Sequence, residues 1–226
     1  MFERPHHRRI GALLALLDGD LLGDCECLFA GGTAIALQLD EFRRSDDIDF
    51  LCASVDGYRA LRERVYGSGM AALARGELAV VRDVRADQYG IRAVLGTPEC
   101  PVKFEVVREG RVMLDPGDGR LAGVPLLCRS DLYTQKLLAN ADRGLDSSTL
   151  HRDLIDLTMM RLRWGPVPVA ALAKARGAYG QSIDRAVTAV QAMLRDPAHR
   201  KQCMRALEIA PGVVGPLAEA LDQPLW

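Results

Sequence analysis

Apolar positions in the first half of the chain come in short runs or strict alternation, and in the second half at helical spacing. Ile10 to Leu17 is predicted helical. Cys27 to Ala30 (CLFA) is an apolar run of strand length, broken by Gly31 and Gly32, after which Thr33 to Leu39 (TAIALQL) resumes with helical spacing. Asp47 to Cys52 (DIDFLC) has a period of two, so Ile48 and Phe50 share one face of a strand and Asp47 and Asp49 the other. Asp56 is expected to cap a helix reaching Tyr66, closed by turn residues Gly67 to Gly69. Two β-rich pieces follow, Leu78 to Val84 and Tyr89 to Leu95. Thr97 to Pro101 reads as a loop, Val102 to Arg108 (VKFEVVR) as an alternating strand, and Asp115 to Arg120 (DPGDGR) as a turn-rich break.

Beyond Ser130 the pattern is helical throughout. Ser130 is placed to cap a helix that runs to Arg143 and stops at Gly144, and Ser147 or Ser148 to cap the next, through Arg163. The remainder reads as three or four helices punctuated by GPVP (165–168), Gly177–Gly180, Pro197 and Pro211. The fold class predicted is α+β: a mixed-sheet α/β core flanked by helices over residues 1–125, then a helical region over 126–226.

Composition changes this picture little. A chain of 226 residues, 49% hydrophobic and 26% charged, is that of an ordinary globular protein. A formal net charge of −1 means that any nucleic-acid contact must come from a local patch rather than a global basic field. No apolar run approaches the roughly 20 residues of a membrane span, and the basic, then apolar N-terminus lacks a small-residue cleavage site. A cytoplasmic protein is expected. Cys25, Cys27, Cys52, Cys100, Cys128 and Cys203 sit among apolar neighbours, as idle thiols of a reducing compartment do. The four histidines show no metal-ligand spacing; His6 and His7 read as exposed tail residues.

The candidate chemistry lies in Leu28 to Leu51, LFAGGTAIALQLDEFRRSDDIDFL. Two aligned carboxylates behind a glycine turn suit a magnesium–nucleotide site: Asp47 and Asp49 hold the metal, and Gly31 and Gly32 let backbone approach phosphate at a helix start, with Thr33 adding its hydroxyl. Asp46 makes SDDID locally ambiguous, and Asp47 is preferred for its two-residue spacing from Asp49. If Phe104 and Val106 face the core, Glu105 comes beside the aspartates, as a further metal ligand or the base for an incoming hydroxyl. Lys136, Asn140 and Arg143 fall at i, i+4 and i+7 on one helix face; Arg152 and Asp156 are spaced to pair, leaving Asp153 free. Each feature alone has a plainer reading: a turn, a solvated strand edge, a surface lysine, a helix ion pair.

GGTAIAL…RRSDDIDF resembles the nucleotidyltransferase superfamily with the polymerase-β-like fold, and its wording is similar to the AbiEii/AbiGii toxins and their MenT relatives. DLYTQKLLANADRG and HRDLIDL resemble later motifs of the same family, so the likeness samples residues 28 to 157. It implies a toxin of a bacterial toxin–antitoxin or phage-defence system that transfers NMP from an NTP with Mg2+, or Mn2+ in its place. The acceptor it suggests is the 3′ end of tRNA or another RNA. It implies metal at Asp47 and Asp49, nucleotide phosphates at Gly31, Gly32 and Thr33, triphosphate at Lys136, a further active-site acid at Asp153, and phosphate or RNA at Arg44. The family's third carboxylate is Asp where this chain has Glu105. Ser45 matches a serine that kinase-type antitoxins phosphorylate in some MenT systems. Two alternatives stay open: transfer to a protein hydroxyl or a small molecule such as an antibiotic, which the near-neutral charge favours, and a non-catalytic antitoxin-binding module.

Overall fold

The computed structural model describes residues 2–226. The elements are α1 (Pro5–Leu16), α2 (Gly19–Asp24), β1 (Cys27–Ala30), α3 (Gly31–Gln38), β2 (Ile48–Cys52), α4 (Val55–Ser68), β3 (Val80–Ala86), β4 (Gly90–Thr97), β5 (Cys100–Arg108), β6 (Pro116–Leu121) and β7 (Val124–Leu127). After them come α5 (Arg129–Arg143), α6 (Arg152–Trp164), α7 (Val169–Tyr179), α8 (Ser182–Leu194), α9 (Pro197–Ala206) and α10 (Pro211–Leu221). The chain forms two compact units, one of residues 1–34 and 46–128, the other of residues 35–45 and 129–226.

The first unit is a seven-stranded mixed sheet, in the order β3-β4-β5-β2-β1-β7-β6. β2 runs parallel to β5 and antiparallel to β1, and β1 runs parallel to β7. β1 is buried along its whole length, which explains why it is a continuous apolar run rather than an alternating one. β2 and β5 alternate: Ile48, Phe50, Cys52, Val102, Phe104 and Val106 are buried. Phe29, Phe50 and Phe104 form an aromatic row across three strands, with ring centroids 5.4 and 5.8 Å apart. The second unit packs α5 to α10, with Leu137, Leu138, Leu154, Ile155, Leu157 and Val190 among its fully enclosed side chains.

The α+β expectation holds, with local corrections. DPGDGR is not a break: it forms most of the edge strand β6, where Pro116 opens the strand and a register shift separates Pro116 from Arg120. An edge strand pairs on one side only, so it tolerates proline and glycine that a central strand would not. Thr97 and Cys100 are paired residues of β4 and β5, so the expected loop shrinks to a tight turn. Ser54, not Asp56, caps α4, accepting from the Gly57 N–H at 3.1 Å. α5 begins at Arg129 with Ser130 inside its first turn, and a short 3-10 turn at Ser147–Thr149 precedes α6. His7 is no tail residue but lies fully buried in α1, and His6 is half-buried beside it. All six cysteines are free thiols, and no helix among the described residues is long and apolar enough to cross a membrane.

Truncating the aromatic row tests the sheet core. Phe50→Ala is expected to lower unfolding free energy by about 3–5 kcal/mol, measured by urea titration, because the enclosed site cannot collapse fully.

Candidate active site

In the sheet unit, β1 passes into α3 with no intervening loop, because Gly31 adopts φ +73° and starts the helix at once. The two-residue turn expected before Thr33 is therefore the first turn of the helix itself. A β-carbon on Gly31 would stand 2.5 Å from Asp49 Oδ2 and 2.9 Å from Asp49 Cβ. Glycine is required here on both counts, for its backbone angle and for the carboxylate that occupies the space beside it. Thr33 is fully buried, and Gly31 and Gly32 are half-exposed.

Asp49 pairs directly with Ala30 on one side and Glu105 on the other. Parallel register places Asp49 and Glu105 on the same face, opposite the aromatic row, with Phe104 and Val106 in the core. Asp47 immediately precedes β2, and both aspartates are partly exposed. Glu105 also meets Arg92 of β4, whose Nε donates to Oε1 at 2.6 Å. Oxygen-only donors against a strand and a glycine-started helix fit a hard divalent cation.

In the helical unit the charged residues form a buried network. Lys136 on α5 places its ammonium 2.8 Å from Asp153 Oδ1 and 2.6 Å from Asp156 Oδ2. Arg143, two turns along the same helix, donates to Asp153 through Nε at 2.7 Å and a terminal nitrogen at 3.1 Å. Arg43 grips Asp156 with two N–H donors at 2.6 and 2.8 Å and caps its neighbour's carbonyl, Arg44 O, at 2.7 Å. Burial pushes both aspartates upward, but the cations outweigh it: Lys136 and Arg143 hold Asp153 well below the usual carboxylate range, and Arg43 and Lys136 lower Asp156.

The pairing expected between Arg152 and Asp156 is not made, and Asp153 is not free. An i, i+4 pair forms on a helix surface, whereas Asp156 is fully buried and takes partners from elsewhere in the unit. Arg43 was the residue missed. Its neighbour Arg44 is instead half-exposed and paired with Glu208 at 3.0 Å. Only the folded path of residues 35–45 separates the two arginines' roles; RR carries no alternation to do so. Asn140, between Lys136 and Arg143 on α5, is 1% exposed, and neither of its amide atoms has a hydrogen-bond partner.

A mixed sheet whose second strand carries Asp49 beside a glycine-started helix is compatible with nucleotidyl transfer. A sequence model of the nucleotidyl transferase AbiEii toxin family, of type IV toxin–antitoxin systems, matches residues 15–210. The chain belongs to that family, whose chemistry implies a nucleoside triphosphate substrate and a divalent metal, and whose biology implies an antitoxin partner. No curated protein sequence matches it. Among solved structures, JHP933 from Helicobacter pylori is similar at TM-score 0.52 and 14% identity, over 98% of this chain and 90% of that one. An antigenic nucleotidyltransferase-like protein from Paracoccidioides brasiliensis is similar at TM-score 0.47 and 16% identity, over 91% and 94%.

Gly31→Ala should cut nucleotide transfer by about 100-fold, since displacing Asp49 by even 1 Å misplaces a reacting group; steady-state kinetics with native-like circular dichroism would show it. Asp156→Asn should cost about 3–5 kcal/mol in urea unfolding, by leaving Arg43 and Lys136 undercompensated in a buried site. Because Asp153 and Asp156 titrate lower folded than unfolded, their stabilisation is complete above the unfolded value of about 3.9 and lost as pH falls below it. Melting temperature against pH should therefore drop steeply below about pH 4, and less steeply in Asp156→Asn.

Proposed function

We propose that this nucleotidyltransferase is a cytoplasmic toxin that transfers NMP from an NTP to the 3′ end of tRNA or another RNA, using Mg2+ or, in its place, Mn2+. The observation that carries the catalytic reading is the fit of Asp49 against Gly31, with Glu105 in register beside it. A carboxylate held that tightly at the start of a helix is positioned for a metal–phosphate contact. Asp47 and Asp49 would hold the metal, which supplies charge neutralisation on the phosphates. Gly31, Gly32 and Thr33 would meet the triphosphate through backbone N–H groups of the first turn of α3, the Thr33 side chain being enclosed. Glu105, with Oε1 engaged by Arg92, would use its second oxygen toward a further metal or the attacking hydroxyl.

Lys136 and Asp153 enter the same proposal through the helical unit. Three cations against two carboxylates leave the network one net positive charge, which suits a polyanion. Two of the three ammonium donors of Lys136 go to carboxylates, which leaves one for a phosphate group, with Asp153 holding the ammonium in place. The unpartnered Asn140 amide on the same helix supports a polar ligand there. Arg44 would exchange its half-exposed pairing with Glu208 for phosphate or RNA, an exchange that costs little for a surface ion pair. Phosphorylation of the half-buried Ser45 would add about −1.5 to −2 charge two residues from Asp47 and switch the enzyme off.

Incubation with each α-labelled NTP, Mg2+ and total RNA should label RNA and release pyrophosphate. Asp47→Ala and Asp49→Ala should each reduce incorporation by about 100-fold or more. Label that persists in both variants would overturn the site. Label in protein or a small molecule would overturn the RNA acceptor alone, and failure of the wild type to bind any NTP with Mg2+ would favour a non-catalytic antitoxin-binding module.

A further inference from the structure

His151 and His199 lie 48 positions apart, and Cys203 follows His199 by four. The fold of the helical unit brings all three together. His151 precedes α6, and His199 and Cys203 share one face of α9 at i, i+4. The His151 and His199 Nε2 atoms are 2.8 Å apart, Cys203 Sγ is 3.7 Å from His199 Nε2, and one ligating atom from each residue lies within 4.8 Å of the other two. His151 and Cys203 are each 1% exposed, while His199 is half-buried and opens the cluster to solvent.

Two further features shape the cluster for a metal. His151 Nδ1 sits 2.8 Å from Gly144 O, an acceptor, so Nδ1 holds the proton and Nε2 turns a lone pair toward the other two side chains. Metal-ligating histidines use this backbone hydrogen bond to fix tautomer and ring orientation. Second, Leu150 and His151 are consecutive non-glycine residues with φ +56° and +51°, each in the left-handed region. Such backbone persists where surrounding structure holds it, and it concentrates at functional sites.

We propose that His151, His199 and Cys203 form a zinc site that ties α9 to the start of α6, with water from the exposed side as fourth ligand. Two imidazoles and a thiolate are a borderline-soft set that selects Zn2+ over Mg2+ or Ca2+, so the site does not compete for the metal of the carboxylates. A tetrahedral zinc, with bonds of about 2.0–2.1 Å to nitrogen and 2.3 Å to sulfur, spaces its ligand atoms by about 3.3–3.6 Å. The sulfur already lies near that range from His199 Nε2, at 3.7 Å, and the two imidazoles need to part by about 0.5 Å. Without metal, His199 Nε2–H donates to His151 Nε2. On binding, the His199 proton moves to Nδ1, the Cys203 thiol proton leaves to solvent, and both nitrogens and the thiolate donate to zinc. The site rests on its own geometry and not on the nucleotide-transfer reading.

Full-length protein stripped with a chelator would be titrated with Co2+ in excess Mg2+, then with Zn2+. One equivalent should bind, with thiolate-to-cobalt charge transfer and the intense visible bands of a tetrahedral ion; Zn2+ should displace it and raise the melting temperature. Cys203→Ser should abolish the charge-transfer band, and His199→Gln, at a half-buried position, should weaken binding more than tenfold while folding normally by circular dichroism. Absence of the band in the wild type, its persistence in Cys203→Ser, or an unchanged melting temperature with Zn2+ would each overturn the proposal. Loss of nucleotide transfer in Asp47→Ala with cobalt spectra intact would separate the two readings.

Discussion

The organisation of the helical unit depends on the burial of two ionised aspartates. Asp153 and Asp156 sit on α6 among Leu154, Ile155 and Leu157, all enclosed. A charge in that setting costs several kcal/mol unless its oxygens are met by donors, and the unit supplies them from two directions. Lys136 and Arg143 come from α5, and Arg43 comes from the segment between α3 and β2. This demand explains why residues 35–45 belong with the helices although the sheet unit both precedes and follows them. Further bonds fasten the segment there: Ala210 N–H to Phe42 O at 2.7 Å and Arg44 N–H to Leu207 O at 3.1 Å.

A hydrophobic replacement of such a network would serve stability equally well or better, so its retention calls for another reason. Under the function proposed above, that reason is charge. A lysine held rigidly by two carboxylates cannot collapse onto a neighbouring carbonyl, and the cluster still carries a positive excess. Preorganised cations of this kind stabilise charge on transferring phosphoryl groups without reorganising during the reaction. The sheet unit solves the opposite problem. Its carboxylates stay partly exposed, and rigidity comes from strand register and from the absence of a side chain at Gly31.

The same logic distinguishes two kinds of donor set in one chain. Asp49 and Glu105 offer oxygen on a strand face, where the period of two aligns side chains automatically, and Asp47 directly precedes β2. His151, His199 and Cys203 offer nitrogen and sulfur from a strained turn and a helix, and nothing local aligns them. The first set suits a hard ion that keeps several waters, and the second a borderline-soft ion such as zinc.

Local periodicity determined what the sequence alone could show: the apolar run of β1, the alternation of β2 and β5, the face shared by Asp49 and Glu105, and the helical second half. The glycine pair was visible as well, because a break between strand and helix needs no partner to be recognised. Tertiary structure decided the rest. DPGDGR becomes a strand only because β7 lies beside it to pair with, and His7 is buried only because α1 begins as early as Pro5. Arg43 and Arg44 are adjacent and chemically identical, yet one is enclosed against Asp156 and the other meets Glu208 at the surface. Asp156 and Arg152 have the spacing of a surface pair, and the packing of α6 takes Asp156 inward instead. Ion-pair partners and the histidine–cysteine cluster depend on distances between elements far apart in the chain, and spacing along a sequence carries no information about those distances until the helices have packed.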